Sequence, residues 1–481
     1  MARPRLARAG GPVSPRDIVR SGLCIGCGNC TAGDAGQAAA MRWDGYGQLK
    51  PEGPADWQAR PTAQFSRICP FSPMASDEDR LAALRFPAPA GQDEWIGRYE
   101  AAYVGHASET GFRADGSSGG MSTWIATDLL RRGLIDGLAH VVPGADTDAR
   151  PDDGNGDTGP RFAYRISRSV EQIRQGAKSR YYPVHMGAVL REIRAVPGRY
   201  AVIGIPCFIK AVQLARAQDS LLRERIAFTL GLFCGHMKSA RFVESFAWQL
   251  GVEPEMVAGV DYREKDPSRP ANWYRAGLTL KGGKAVSRDW WHLVDGDWGA
   301  GFFQNPACNV CDDVVAETAD ISFGDAWVEP YASDGRGTNV VIVRSRALLA
   351  IVDEGRQAGK LALDPVDAAF VRETQAAGFR QRREGLAYRL TWRRRGLLPP
   401  KRVRPGAAGL SWRRKRIYRT RAAISRWSHK MARLASALAA PWLYTRWARV
   451  ALAYYQGLTY SRGRWGRLFD QAERIFGKCR P

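Results

Sequence analysis

The sequence of 481 residues predicts an α/β protein with a largely parallel central sheet, a cysteine-rich module before it and a basic helical tail after it. Three observations lead to this prediction. Apolar runs typical of strands alternate with amphipathic helical segments in the centre of the chain. Cysteine motifs mark the N-terminal part, and the excess positive charge is confined to the C-terminal part. We expect these parts at residues 1–95, 98–350 and 376–481.

A short cysteine run characterises the N-terminal module. Cys24, Cys27 and Cys30 occur in CIGCGNC, and Cys69 follows much later, immediately before a proline. A Cys-x-x-Cys-x-x-Cys run with a later Cys-Pro is the pattern of ferredoxin 4Fe-4S sites, in which small residues let backbone amides face the sulfides. Zinc is the alternative metal, although zinc sites usually use separated Cys-x-x-Cys pairs. We therefore expect a ferredoxin-like module whose 4Fe-4S cluster closes a long loop.

The overall composition indicates an ordinary globular protein. Hydrophobic residues make up 45% of the chain and aromatic residues 10%, which argues against a predominantly disordered chain. The N-terminus is basic, but no apolar stretch follows it, so we expect neither a secretory signal nor a membrane anchor and assign the protein to the cytoplasm. Nine cysteines grouped in motifs fit metal binding in a reducing compartment better than a disulfide framework.

Strands and helices alternate along the central part. Apolar runs predict strands at YEAAYVGHAS, LAHVV, RFAYRI, YAVIGI and IAFTLGLF. Helical periodicity predicts helices at MSTWIATDLLRR, HMGAVLREIRAV and FIKAVQLARA, and the glycine-rich turn GSSGG opens the first of them. Residues 144–160 are acidic, rich in glycine and without periodicity, so we expect a mobile surface loop there.

A second set of cysteines lies in the central part. Cys207 and Cys234 each follow a predicted strand, and the helix between them predicts a parallel crossover that brings both strand ends to one edge of the sheet. Cys308 and Cys311 form a Cys-x-x-Cys turn further along. The four cysteines together could hold a second cluster. The alternative is two inert buried cysteines plus a redox pair or half a zinc site. Cys479 has no partner left and is interpreted as incidental.

The C-terminal tail carries the net charge. From Arg380 to the end the sequence has 27 Lys and Arg residues against three acidic ones, which accounts for the formal charge of +23. Basic clusters at 393–395 and 413–416 alternate with tryptophans, the composition of a segment that lies at a membrane surface. The uncharged run LASALAAPWLYT is too short to span a bilayer, which needs about 20 apolar residues. Peripheral binding to an anionic membrane is one interpretation, and a helical lid packed on an acidic face of the body or of a partner is the other. Because only the tail is basic, the charge does not favour nucleic acid as a partner.

Several motifs occur in a characteristic order. They are CIGCGNC, ICP, SSGG, KSRYYPV, GIPC, GLFCGH, and CNVCDD followed by ADISFGDAW. In this order they resemble the beta subunits of coenzyme F420 (a deazaflavin) reducing hydrogenases and formate dehydrogenases, a superfamily that includes 7-hydroxymethyl chlorophyll a reductase. The resemblance implies an iron-sulfur flavoprotein with FAD, in which Cys207, Cys234, Cys308 and Cys311 are ligands of a second 4Fe-4S cluster.

The resemblance also directs attention to flavin-binding and catalytic residues. Two segments are expected to bind FAD, and their residues are Ser118, Gly119, Gly120, Ser122 and Thr123, and Lys178, Ser179 and Arg180. The first segment precedes a helix, whose N-terminal amides suit a phosphate, and the second adds positive charge. A capped surface helix and a solvated basic turn are the alternatives. His236 and Asp325 are candidate catalytic acids or bases, and the alternatives are a hydrogen-bonded structural histidine and a turn residue.

The predicted function is that of a cytoplasmic oxidoreductase. Electrons would pass between a soluble carrier (ferredoxin or a reduced deazaflavin), two 4Fe-4S clusters and FAD to reduce or oxidise a small-molecule substrate that the motifs do not identify. The alternative from another class is an electron-transfer or docking subunit without chemistry of its own. A third hypothesis, a nucleic-acid-associated cluster protein, rests on the tail alone.

Overall fold

The computed structural model describes residues 11–33, 39–144, 161–392 and 396–477. The loop predicted at 144–160 therefore lies outside the described residues except for residue 144. The basic cluster at 393–395 and Cys479 lie outside them as well.

The chain forms helices and strands throughout the described ranges. Before the central sheet the elements are α1 (Pro15–Arg20), β1 (Ala40–Trp43), β2 (Leu49–Glu52), α2 (Ala55–Ala59), α3 (Ala63–Ile68), α4 (Glu78–Arg85), β3 (Gly91–Asp93) and β4 (Gly97–Tyr99). The central elements are β5 (Ala101–Ala107), α5 (Phe112–Asp115), α6 (Met121–Arg131), β6 (Gly137–Pro143), β7 (Phe162–Ser167), α7 (Val170–Gln175), α8 (Gly187–Ala195), β8 (Tyr200–Gly204), α9 (Pro206–Gln218), α10 (Ser220–Arg225), β9 (Ile226–Leu232), α11 (Arg241–Gln249), β10 (Val257–Glu264), β11 (Arg275–Leu280), β12 (Ala285–Asp289), β13 (Ile321–Asp325), β14 (Asn339–Val343), α12 (Arg346–Gln357), β15 (Leu361–Pro365) and α13 (Ala368–Thr374). The tail contains α14 (Ala376–Arg382), α15 (Glu384–Trp392), α16 (Trp412–Ala437), α17 (Pro441–Tyr460) and α18 (Gly463–Gly477).

An eight-stranded sheet occupies the centre, in the order β15-β5-β14-β13-β9-β8-β6-β7. The four strands β13, β9, β8 and β6 are parallel to their neighbours in this group. The outer pairs, β13 with β14, β14 with β5, β5 with β15, and β6 with β7, are antiparallel. The predicted α/β architecture is confirmed, with its parallel part in the middle of the sheet and antiparallel strands on both sides.

Helices cover both faces of this sheet. α8 and α9 lie on one face, where Val202 of β8 shares a buried cluster with Leu190 and Phe208. α6 and α12 lie on the other face, where Ala201 shares a cluster with Trp124. Successive residues of a strand point to opposite faces, which is why the neighbours Ala201 and Val202 belong to different clusters.

The predicted crossover is present as β8, α9 and β9. The two strands are adjacent and parallel, with Gly204 opposite Gly231. Pro206 is well suited to the first turn of α9, since a proline lacks an amide hydrogen and the first amides of a helix have no partner within it. The carboxyl ends of β8 and β9 therefore meet at one edge of the sheet, as expected from the sequence.

The N-terminal elements share a core with the central sheet. Ile18, Leu23 and Ile25 belong to the same buried cluster as Leu190 and Phe208. The boundary predicted near residue 95 remains a prediction, because apolar packing continues across it.

A second, antiparallel sheet of β10, β11 and β12 lies beside the first. Tyr262 of β10 packs with the rings of Phe242 and Phe246 in α11. Ile424 of α16 and Tyr444 of α17 belong to the same buried cluster. The tail is helical, as predicted, and two of its helices complete this aromatic core. Among the described residues, the structure contains no helix that combines the length and the apolar character needed to cross a bilayer.

Candidate functional site

The first cysteine set borders one cavity. Cys24, Cys27 and Cys30 lie on the loop after α1, and Cys69 lies at the end of α3. All four cysteines line one cavity. The sequence run and the distant Cys-Pro are therefore brought together as the motif predicts.

Two glycines allow the loop to adopt its shape. Gly26 and Gly28 have φ angles of 77° and 76°, in the region that favours glycine. A Cβ atom at Gly26 would lie 2.7 Å from the backbone oxygen of Leu49, and one at Gly28 would lie 2.9 Å from Cβ of His185. Any other residue at these positions would have to displace its neighbours, so the small residues of CIGCGNC are a steric requirement.

Asn29 links the first cysteine loop to two other elements by hydrogen bonds. Its Nδ2 atom donates hydrogen bonds to the backbone oxygens of Ile68, 2.9 Å away, and of Ala211, 3.1 Å away. The first bond joins the cysteine run to the residue before Cys69, and the second joins it to the helix that carries Cys207. Sequence analysis did not identify Asn29, since the contacts depend on residues far apart in the chain.

The second cysteine set borders a neighbouring cavity. Cys207 is the second residue of α9, Cys234 follows the end of β9, and Cys308 and Cys311 belong to a turn that begins at Pro306. The four cysteines line one cavity. The structure therefore brings together all four cysteines that were grouped from the sequence.

Both cysteine sets lie in environments that disfavour a free thiolate. Burial, with a smaller contribution from the nearby Cys24, raises the pKa of the Cys27 thiol to about 12. Burial also raises the pKa of Cys207, and the other three cysteines of its set add to that effect. Such thiols ionise when a cation binds them, because the cation compensates for the lost solvation. The thiols of both cysteine sets are therefore suited to binding a metal group.

Each cavity is lined by four cysteines. Four thiolates are the usual ligand set of a 4Fe-4S cluster and also occur at structural zinc sites. Metal and sulfide analysis therefore distinguishes the two possibilities.

The two cavities share a wall. Ile25 and Phe71 line both of them, and both side chains are buried. Tyr164 also lies near both sets, since burial raises the pKa of its hydroxyl and the nearby Cys207 and Cys27 raise it further. The two cysteine sets are therefore neighbours, with Ile25 and Phe71 between their cavities.

Arg382 of α14 donates hydrogen bonds to backbone oxygens next to the second cysteine set. Its side chain is 3% exposed and lines the cavity. It donates to the backbone oxygens of Gly235 at 2.7 Å, Cys308 at 3.1 Å and Cys234 at 3.3 Å. Burial alone would lower the pKa of Arg382, but the cysteines nearby outweigh burial and raise it, so the guanidinium stays charged. Sequence analysis assigned this residue to the basic tail and did not connect it with the cysteines.

Further basic residues of the tail pair with acidic residues next to this site. Lys401 lies 2.8 Å from the carboxylate of Asp312, and Arg402 lies 2.6 Å from that of Glu317. Both carboxylates are almost fully buried. The non-helical stretch between α15 and α16 thus pairs with acidic residues of the protein's own body, while the helical lid expected as the alternative to membrane binding stays a prediction.

The two segments expected to bind FAD lie next to each other. Ser118, Gly119 and Gly120 precede α6, and Ser122 and Thr123 lie in its first turn. The amide of Ser179 donates to Oγ of Ser117 over 2.8 Å, which joins the glycine-rich turn to the turn that contains Lys178, Ser179 and Arg180. Both lie at the carboxyl edge of the parallel strands, where open α/β sheets bind ligands.

The basic turn has features that suit an anionic group. Lys178 has a φ of 94°, and its Nζ lies 3.2 Å from Asp261. The guanidinium of Arg180 lies 5.1 Å from the centre of the Phe162 ring, and its buried Nε has no hydrogen-bond partner among the described residues. An unpaired buried donor next to a helix N-terminus fits a phosphate-bearing cofactor such as FAD.

Lys265 supports the glycine-rich turn. Its Nζ donates to the backbone oxygens of Ser118 and Arg336, each 2.7 Å away, and of Arg113, 2.5 Å away. Burial lowers the pKa of Lys265 to about 7, and nearby cations including Arg263 lower it further. The residue lies after β10 in a stretch without a motif, so the sequence contained no signal for this role.

The two residues predicted as acid or base have different surroundings. Asp325 ends β13 and forms a double hydrogen bond with the buried Arg263, at 2.9 and 3.3 Å. His236 is buried and stacks on Trp298, with 4.5 Å between ring centres. Burial holds the pKa of His236 well below its usual range, and Lys238 and Arg421 lower it further, so the ring is neutral at physiological pH. Their catalytic roles stay predictions. The ion pair fits a structural role for Asp325.

Comparisons with known proteins identify relatives of this chain. The family model described as coenzyme F420 hydrogenase/dehydrogenase, beta subunit N-term, matches residues 102–191, and the model for the C terminus of the same beta subunit matches residues 198–369. Coenzyme F420 hydrogenase subunit beta of Methanosarcina barkeri is 23% identical over 250 residues, which are 49% of this chain and 75% of that protein. A chain in a structure of the F420-reducing NiFe hydrogenase complex from the same organism is 19% identical, with a TM-score of 0.48 over 64% of this chain and 99% of that one. The two family models include the second cysteine set and both segments expected to bind FAD.

Proposed function

Because the chain belongs to the coenzyme F420 hydrogenase/dehydrogenase beta subunit family, we propose that it is an iron-sulfur flavoprotein oxidoreductase with two 4Fe-4S clusters and FAD. The observation that carries this proposal is the grouping of eight cysteines around two cavities that share a wall. When bound, the clusters supply one-electron transfer and FAD couples it to two-electron chemistry.

Each cluster would be held by its own set of four cysteines. Cys24, Cys27, Cys30 and Cys69 would bind the first cluster, and Cys207, Cys234, Cys308 and Cys311 the second. Ile25 and Phe71 keep water out of the space between them and set the distance that an electron must cross. Arg382 holds the ligand loops of the second site and adds a fixed positive charge.

The flavin site is proposed at the carboxyl edge of the sheet. The turn before α6 would bind the pyrophosphate through backbone amides, with Lys178 and Arg180 adding positive charge. Lys265 keeps this turn in place through its bonds to three carbonyl oxygens. The family relationship and the unpaired Nε of Arg180 support this assignment.

A soluble carrier, either a ferredoxin or a reduced deazaflavin, is proposed to exchange electrons at the first site. Cys24, Cys30 and Cys69 are partly exposed, so a carrier can approach this cluster closely. The substrate would be a small molecule that reaches FAD. We assign the reaction to the cytoplasm, since all eight described cysteines are unpaired and a reducing compartment preserves them in that state.

Metal and flavin analysis of anaerobically purified protein tests the proposal. We expect about eight irons, about eight acid-labile sulfides and about one FAD per chain. About four irons would remove the second cluster from the proposal. Stoichiometric zinc without labile sulfide would overturn the proposal altogether.

A second candidate function is an electron-transfer subunit of a larger complex. The curated relative favours it, since its name describes it as a subunit of a hydrogenase. The two candidates differ in what the isolated chain can do. Reduction of an artificial acceptor, with turnover of small-molecule substrates only after a second polypeptide is added, would favour the subunit.

A further inference from the structure

The helices α16 and α17 form a hairpin with no acidic residue in either helix. One side of the hairpin is part of the protein interior. Ile424, Ala432, Tyr444 and Ala448 are buried in the aromatic cluster formed with α11 and β10. The orientation of the hairpin is therefore set by packing, and the residues on its other side are exposed as a consequence of the fold.

Large apolar side chains lie on that other side. Leu438, Trp442 and Val450 are about 60% exposed, and Trp427 and Leu434 are nearly half exposed. Leu438 and Trp442 lie on either side of the turn between the two helices. Each exposed apolar side chain leaves a favourable burial free energy of about 1.5–3 kcal/mol unused in water.

Basic residues alternate with these apolar side chains. Between residues 426 and 450 the exposed ones are Arg426, Lys430, Arg433, Arg446 and Arg449. Arg433 lies about one turn before Leu438, and Arg446 lies one turn beyond Trp442. Each helix thus carries a cation about one turn from the apolar end of the hairpin.

The exposed cations near the turn of the hairpin differ from the basic residues before them. Lys401 and Arg402 pair with carboxylates of the body, and Arg413 and Arg414 at the start of α16 pair with carboxylates of α18 and of Glu384. Lys430 and Arg433 instead lie over the rings of Trp427 and Tyr46. Among the described residues none of the five exposed cations forms an ion pair with a carboxylate, so their charge is available to an anionic surface outside the chain.

We propose that these ten side chains, called the hairpin surface below, bind the surface of an anionic lipid bilayer. Leucine and tryptophan side chains enter the boundary between headgroups and acyl chains, while arginine and lysine reach the phosphate groups. The uniform sign of the charge matches a lipid surface, which is anionic over its whole area. The hairpin would lie on the membrane and would not cross it, in agreement with the shortness of its apolar runs.

Lipid binding by the hairpin surface does not depend on the cofactors. It would bring an oxidoreductase to the membrane surface, whichever electron carrier the first site uses. Loss of lipid binding would leave the iron content unchanged, and loss of the clusters would leave the hairpin surface in place. The two proposals can therefore fail separately.

Vesicle sedimentation of the full-length protein tests the proposal. Vesicles of phosphatidylcholine are compared with vesicles that also contain phosphatidylglycerol, from ~0.05 M to ~0.5 M salt, over which screening strengthens markedly. We expect sedimentation with the anionic vesicles at low salt, decreasing as salt increases, and little with the neutral ones. Point variants are preferable to a shortened chain, because α14 and α15 cover the second cysteine site.

Two pairs of variants separate the apolar and the charged contributions. Leu438→Ser together with Trp442→Ser should weaken binding by on the order of tenfold or more, whereas Trp291→Ser, at 56% exposure away from the hairpin, should not. Arg446→Gln with Arg449→Gln should weaken binding to anionic vesicles by roughly 25-fold, since each basic residue near such a surface contributes about fivefold. Lys281→Gln with Lys284→Gln removes the same charge elsewhere and should have little effect.

The following outcomes of the sedimentation experiment would contradict the proposal. Equal sedimentation with neutral and anionic vesicles, or hairpin variants that bind like their controls, would overturn the proposal. Absence of vesicle binding at low salt would also overturn it and leave the hairpin surface to an acidic protein partner. All substituted residues are exposed, so the thermal unfolding temperature should be the same in every variant. If the variant with Leu438→Ser and Trp442→Ser unfolds at a lower temperature, Leu434→Ser takes its place.

Discussion

At the residue scale, a few side chains far from the cysteines in sequence determine how the cysteines are held. Asn29 bonds to the residue before Cys69 and to α9, and Arg382 bonds to two of the three segments that form the second site, the one at Cys234 and the turn at Cys308. Hydrogen bonds around a metal-sulfur site tune its reduction potential as well as its stability. Of the two residues, Arg382 has the larger expected effect on electron transfer, because it adds a full charge.

Replacing Arg382 with Gln should lower the reduction potential of the second cluster. A nearby positive charge stabilises the more negative, reduced state, and a unit charge a few ångströms away at an effective dielectric constant of about 20 corresponds to a shift on the order of 100 mV. The measurement is a redox titration followed by electron paramagnetic resonance.

The first cluster provides an internal control for this titration. Its potential should stay unchanged, and Arg382→Lys, which keeps the charge but loses part of the hydrogen bonding, should shift the second potential less than Arg382→Gln. Equal shifts in the two variants would mean that hydrogen bonds and not charge determine the potential. An unchanged potential in both would refute the role proposed for Arg382.

At the element scale, the crossover β8-α9-β9 brings the two cysteine sets together. α9 begins next to Cys207, and its Ala211 accepts a bond from Asn29 of the first loop. The same strand edge continues to β13 and to the glycine-rich turn before α6. A change at the start of α9 should therefore affect more of the molecule than a change in the first loop.

Cys27→Ser and Cys207→Ser should have separable effects. Cys27→Ser should remove about four irons and leave FAD bound, since Cys27 belongs to the first loop and not to the sheet edge that carries the glycine-rich turn. Cys207→Ser should remove the other cluster and also weaken FAD binding, because its loss disturbs the carboxyl edge of the sheet. Iron, sulfide and flavin contents of the two variants measure this difference.

A Cys207→Ser protein with unchanged iron and unchanged flavin reduction would contradict the ligand assignment. It would identify Cys207 as a buried core residue. Cys308→Ser serves as the matched variant, since that cysteine belongs to the same proposed cluster but lies on a turn outside the sheet.

At the scale of the whole molecule, the C-terminal tail is part of the folded body. Leu386 and Leu390 belong to the same buried cluster as Cys308 and Cys311, and Tyr444 belongs to the aromatic core of the second sheet. The predicted helical character of the tail is confirmed. Its basic residues divide into a group that neutralises buried carboxylates and a group that remains exposed on α16 and α17.

A chain that ends near residue 378 should lose the second cluster and much of its stability. It lacks Arg382, Leu386 and Leu390, and it exposes the apolar residues that α16 and α17 cover, with a cost of about 1.5–3 kcal/mol for each large side chain. About half of the iron and a markedly lower thermal unfolding temperature are expected. Full iron content with unchanged unfolding would show instead that the tail is a dispensable attachment.

The local pattern of the sequence was sufficient for several features. The cysteine spacing predicted the first set of four, and the alternation of apolar runs located the strands β5 to β9 and the crossover that brings Cys207 and Cys234 to one edge of the sheet. These signals are local, because a strand, a helix or a Cys-x-x-Cys turn is determined by residues close to one another in the chain. The order of the motifs added the family, which the family models support.

The tertiary structure decided the features that depend on distant residues. It determined that antiparallel strands flank the parallel ones, that Ile25 and Phe71 separate the two cavities, and that Arg382 and Lys265 hold the candidate sites. It also determined which side of the α16–α17 hairpin is buried. In each case the contact joins residues from different elements, and no local periodicity or spacing records which elements will meet, since that choice depends on the packing of the whole core.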